Sequence, residues 1–151
     1  MNKNEIVCAI DVNDFDQQVV DLAATFAKQF DVKLNLLHVT LFPDPTNAAW
    51  PAYIGAPNEL IRDNRLLREI HTEVEGVEIV RHHLSGFPVE KILGFVERNP
   101  PEMLVLGTHA HQGIKRFLGG IASKILRLAN CPVMVLRMGQ NSQKLSRTPT
   151  A

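Results

Sequence analysis

The chain has 151 residues, sixteen Lys and Arg set against sixteen Asp and Glu, and 45% apolar positions. That length suits one domain with a continuous core, and the cancelled charge leaves no overall field to recommend nucleic acid or an anionic membrane as a partner. Nowhere is there the uninterrupted apolar run of about 18 residues that a membrane span needs, and MNKNEIVCAID is too short in apolar residues for a secretory signal, so a soluble cytoplasmic protein is expected.

Glu5 to Ile10 is a short run rich in β-branched residues, the pattern of a strand covered on both faces. Cys8 within it, like Cys131 later, sits in apolar surroundings without a CxxC or other ligand spacing and reads as a small buried hydrophobe. After Asp11, Asn13 or Asp14 is expected to cap a helix in which Phe15, Val19, Leu22, Ala23, Phe26 and Phe30 form one stripe. Lys33 to Thr40 reads as a second buried strand, completing a right-handed βαβ unit. Leu41 to Pro57 carries four prolines with Gly55, Asn47, Trp50 and Tyr53, a loop composition in which the aromatic pair serves first to pack the loop down.

From Asn58 the pattern turns helical. Leu60, Leu67, Ile70 and Val74 share a face, and the charges Arg62, Asp63, Arg65, Arg68 and Glu69 read as its solvated side. Val77 to His83 is expected as a third strand near an edge, and Pro88 to start a helix with Val89, Ile92, Leu93 and Val96 inward. Met103 to Leu106 predicts strand four, leading into a glycine-bearing loop. Ile121, Ala122, Ile125, Leu128 and Ala129 mark a last helix, and Pro132 to Arg137 a fifth strand. One domain over residues 1–138 is expected, with 139–151 as a polar, disordered tail.

Five strands alternating with four helices predict an α/β fold: an open, mostly parallel sheet with helices on both faces. Ligands in such sheets sit beyond the carboxyl ends of the strands where the order reverses, here beside Asp11 and the loop after strand four. That loop can aim bare backbone N–H groups at an anion.

The residues that carry these features also resemble a known family. Ala9-Ile10-Asp11 closing strand one, LLHV in strand two, Gly86-Phe87-Pro88, LVLGTH at 104–109 and GGIASKILRLANCPVMVLR at 119–137 look like the universal stress proteins. The resemblance implies a five-stranded parallel sheet of order 3-2-1-4-5, a homodimer paired through the last strand, and a site for ATP or AMP, the triphosphate with Mg²⁺. It implies that Asp11 accepts hydrogen bonds from ribose hydroxyls, that Ala9 and Ile10 line the base pocket, and that the backbone of Val39 reads the adenine edge. Leu106, Gly107, His109, Ala110, Gly119, Gly120 and Ile121 would complete the site around the phosphates, and the protein would act as a stress-response sensor or regulator.

The family's nucleotide-binding branch carries G-x2-G-x9-G-[ST] after strand four. Gly107 supplies the first glycine, Ala110 stands at the second, and nine residues further Gly120 is followed by Ile121, so the terminal hydroxyl is absent in register. An alternative frame puts Gly119-Gly120 at the end of the motif. A methyl at 110 costs about 1–2 kcal/mol only if the backbone there is left-handed, and a lost neutral hydrogen bond about 0.5–1.5 kcal/mol. Neither abolishes binding. The rival reading is the branch that binds no nucleotide and acts through protein contacts. A flavodoxin-like carrier ranks below both, because DVNDFD lacks a Ser/Thr/Gly-rich phosphate loop.

No metal site is expected. His109 and His111, or His82 and His83, lie close in sequence, but no Cys or carboxylate stands at a familiar ligand offset, and His38 on a buried strand reads as a hydrogen-bonded core histidine. Without GxxxxGK[ST] or a second acid clearly placed beside Asp11, nucleotide hydrolysis is expected to be slow at most.

Overall fold

The computed structural model describes residues 4–41, 56–109 and 120–138. Five strands, β1 (Ile6–Ala9), β2 (Leu34–Leu41), β3 (Ile79–Gly86), β4 (Met103–His109) and β5 (Val133–Met138), form one parallel sheet of order β3-β2-β1-β4-β5. Between them run α1 (Gln17–Phe30), α2 (Ala56–Glu69), α3 (Pro88–Arg98) and α4 (Gly120–Leu128).

The central strands carry apolar side chains on both faces because each face is roofed by helices. Ile6, Cys8, Leu34 and Leu36 pack under α1 and α2 with Val19, Val20, Ala23 and Leu67. Val7, Ala9, Leu37 and Val39 pack on the other side against Ile92, Phe95 and Val96 of α3 and Ala122 and Ile125 of α4. Cys8 is fully buried, which pushes its thiol up to about 12. Cys131 is half-buried, and both are free thiols.

Local chemistry moves several boundaries. The cap of α1 is Asp16, whose carboxylate accepts from the Gln18 N–H at 2.9 Å. The expected caps are already committed to a turn: the Asn13 N–H bonds Oδ1 of Asp11 at 3.0 Å and the Asp14 N–H bonds the Asp11 carbonyl at 3.1 Å. The third strand lies later than Val77 to His83, pairing Ile79–Gly86 along the whole of β2. Strand β4 runs on to His109, so Gly107 belongs to the sheet, opposite Leu136, and not to the loop. A Cβ there would stand 2.8 Å from Sδ and Cε of Met138 and 3.0 Å from Cγ2 of Val19. A side chain at 107 would require the tip of Met138 to move, so what Gly107 answers to is packing and not loop conformation.

The largest departure is on α2. Asp63, expected on a solvated face, is 2% exposed. Trp50, Tyr53, Ala110, His111, Gly119 and the segment 139–151 lie outside the described residues.

Candidate functional site

Strand β1 is paired on both flanks, with β2 in the register Ala9↔Leu37 and with β4 in the register Ala9↔Leu106. The order of the strands reverses there. After one further bond, from Ile10 N–H to the Leu37 carbonyl at 2.9 Å, the chain leaves the sheet while β2 continues beside β3 to Leu41. Backbone groups of a strand point alternately to either neighbour. Leu37 faces β1, so Val39 turns its N–H and C=O the same way, and among the described residues no backbone group of the departing chain meets them.

His38 sits in the opened seam. Its Nδ1 lies 3.0 Å from the Ile10 carbonyl oxygen and 3.3 Å from the Val12 nitrogen, the two groups that would otherwise continue the ladder to Val39. Beyond this fork opens a cleft of about 420 Å³. Ala9, Ile10, Asp11, Val39, Leu106, Gly107, Gly120 and Ile121 all line it. His109 closes β4, and its side chain lies outside the described residues, as do Ala110 and Gly119. Asp14 and Asp16 lie along the same rim as Asp11, a grouping of acids that the sequence reading left out.

One wall of the cleft is a buried polar network. Nε2 of His38 is 2.9 Å from Oδ2 of Asp63, and the Thr40 hydroxyl donates to the same oxygen at 2.7 Å. Oδ1 of Asp63 accepts from Asn13 Nδ2 at 3.3 Å and from Arg62 at 3.1 and 3.2 Å. Burial alone would raise the pKa of this carboxyl, but the hydrogen bonds from Thr40, His38, Arg62 and Asn13 together outweigh it and hold the value at about 2. Nε2 of His83 reaches Thr40 Oγ1 at 2.7 Å, and its ring stacks on that of His38 with centroids 5.6 Å apart. Burial, with the charge of His38 behind it, lowers the pKa of His83 against the opposing pull of Asp63.

Adjacent histidines on a strand point to opposite faces. His82 therefore does not join His83: it meets Asn35 Oδ1 at 2.8 Å and packs against Phe95 on the α3 side. The carboxylate that sequence spacing failed to supply is Asp63. It sits three residues after Leu60 and four before Leu67, so helical period already put it on their face, a signal its charged neighbours hid.

An open parallel sheet with helices on both faces, and a cleft where its strand order reverses, makes this a doubly wound α/β protein of the Rossmann-like class. The model of the universal stress protein family matches residues 3–137, and the chain belongs to that family. Universal stress protein MJ0531 of Methanocaldococcus jannaschii is 27% identical over 142 residues, 88% of this chain and 81% of that one. Universal stress protein A homolog 1 of Coxiella burnetii is 27% identical over 145 residues, 91% of this chain and 99% of its own. The structure of the Archaeoglobus fulgidus universal stress protein in complex with dAMP superposes with a TM-score of 0.58 at 24% identity, covering 89% of this chain and 98% of that chain.

Proposed function

We propose that the cleft binds an adenine nucleotide, AMP or ATP, and that the protein works as a nucleotide-responsive regulator. The observation that carries this reading is the fork between β1 and β2, which turns the N–H and C=O of Val39 toward a space walled by Ala9, Ile10 and Leu106. A donor and an acceptor side by side on an extended strand, between apolar walls, match the edge and faces of a purine. Asp11 fits the ribose: it is exposed at the cleft, and its carboxylate, bonded only to Asn13 among the described residues, retains acceptor capacity for hydroxyls. The start of α4 at Gly120 lies on the same cleft and favours negative charge, which suits the phosphate end. His109, Ala110 and Gly119 belong to the phosphate side of the same reading, and Mg²⁺ accompanies the triphosphate.

The rest of the reading is a homodimer in the cytoplasm, paired through β5. That strand is one edge of the sheet and carries the apolar run Val133 to Leu136, the kind of edge that templates pairing with a second chain. No helix among the described residues is long and apolar enough to cross a membrane. Residues 1–138 act as the folded unit and 139–151 as its tail.

Thermal unfolding with and without millimolar AMP or ATP tests the reading. A ligand at a thousandfold excess over its dissociation constant stabilises the fold by about 4 kcal/mol. Unchanged melting with both nucleotides overturns the proposal in favour of a dimer that acts through protein contacts.

A further inference from the structure

We propose that His38, Asp63 and His83 form a site for one first-row transition-metal cation of the zinc class. The donor atoms are Nε2 of His38, Oδ2 of Asp63 and Nε2 of His83, all within 4.8 Å of one another although they come from β2, α2 and β3. Around a tetrahedral zinc with bonds of about 2.0–2.1 Å, donors stand about 3.3 Å apart, so the present set needs movements on the order of 1 Å to close on an ion.

The bonding of His38 takes the argument past proximity. Nδ1 of His38 is held by backbone, 3.0 Å from the Ile10 carbonyl oxygen and 3.3 Å from the Val12 N–H, so the ring presents Nε2 to Oδ2 of Asp63 at 2.9 Å. A metal ion at this point replaces the proton held between Nε2 and Oδ2. A backbone carbonyl on the far nitrogen is also the contact that ordinarily fixes the ring of a metal-bound histidine.

The surroundings supply the rest of a built site. Arg62 and Asn13 hold Oδ1 of Asp63, and Oδ2, which accepts from Thr40, faces the imidazole of His38. Thr40 Oγ1 stands 2.7 Å from both Oδ2 and His83 Nε2, a neutral oxygen at the remaining position. Two imidazoles and one carboxylate suit zinc, cobalt or ferrous iron in preference to magnesium or calcium, which take oxygen donors. His38, Thr40 and Asp63 line the cleft, which gives the ion a way in.

The test uses the full chain, stripped with a chelator and kept free of nucleotide, so that its outcome does not depend on what the cleft binds. Equilibrium dialysis against micromolar Zn²⁺ with metal quantified by mass spectrometry should give one ion per chain. Co²⁺ in its place should give the visible absorption of a low-coordinate site. Asp63→Asn and His83→Gln, each with wild-type circular dichroism, should weaken Zn²⁺ binding by more than about tenfold and abolish the Co²⁺ bands. His83 is half-buried at an edge strand, so its variant serves should Asp63→Asn fail to fold. Wild-type protein that takes up no metal, or uptake unchanged in the variants, overturns the proposal and leaves a proton between His38 and Asp63.

Discussion

Nε2 of His38 and Oδ2 of Asp63 lie 2.9 Å apart across 25 residues of sequence, with side chains 4% and 3% exposed. Their contact ties α2 to the second strand and fixes one wall of the cleft. Asp63→Ala would leave the His38 ring and the Thr40 hydroxyl buried without their acceptor, at a cost of about 3 kcal/mol. Urea unfolding of metal-free protein measures this, and Asp63→Asn, which retains one acceptor oxygen, should lose distinctly less.

Asp11 stands at the same cleft but outside the core. Asp11→Ala should leave the urea midpoint within about 0.5 kcal/mol of wild type and weaken AMP binding about tenfold or more, the loss expected when hydroxyls give up a charged acceptor. Calorimetric titration with AMP checks it. Equal affinity would remove Asp11 from the ribose position.

Cys8 offers a pH signature. Its pKa is raised from 9.0 to about 12 by burial, so the folded protein holds this proton more tightly than the unfolded chain. The thiol's favourable contribution is complete below pH 9 and fades as the pH climbs toward 12, by about 1.4 kcal/mol per unit. The stability difference between wild type and Cys8→Ala should therefore narrow from pH 8 to pH 11. Iodoacetamide at pH 8 should not label Cys8 until the protein is unfolded.

Gly107 is predicted to be sensitive to substitution for reasons of space. Gly107→Ala drives a methyl against Met138 and Val19 and should destabilise by about 1–3 kcal/mol. Met138→Ala in the same chain should recover part of that loss, because the tip of Met138 is the closest obstruction. A double-mutant cycle from denaturant midpoints shows the coupling.

Much of this architecture was legible in the amino acids. Continuous apolar runs such as Ile6 to Ala9 announce strands roofed on both sides, and their alternation with helical stripes leaves a parallel sheet as the natural packing. The cleft was legible for the same reason, since Asp11 follows one central strand and Gly107 lies toward the carboxyl end of its neighbour. The buried network was not. Asp63 is flanked by Arg62, Asn64 and Arg65, and composition alone assigns such a run to water, whereas three-dimensional pairing with His38 and Thr40 turns it inward. The role of Gly107 was misread because its cause, Met138, arrives from the far end of the chain.

The split between β1 and β2 rests on very little material. One imidazole occupies Ile10 and Val12, and the longer strand overhangs by a few residues. To weld the hollow shut, an engineer would not fill it but would remove that ring, freeing Val39 to zip onto the neighbouring chain.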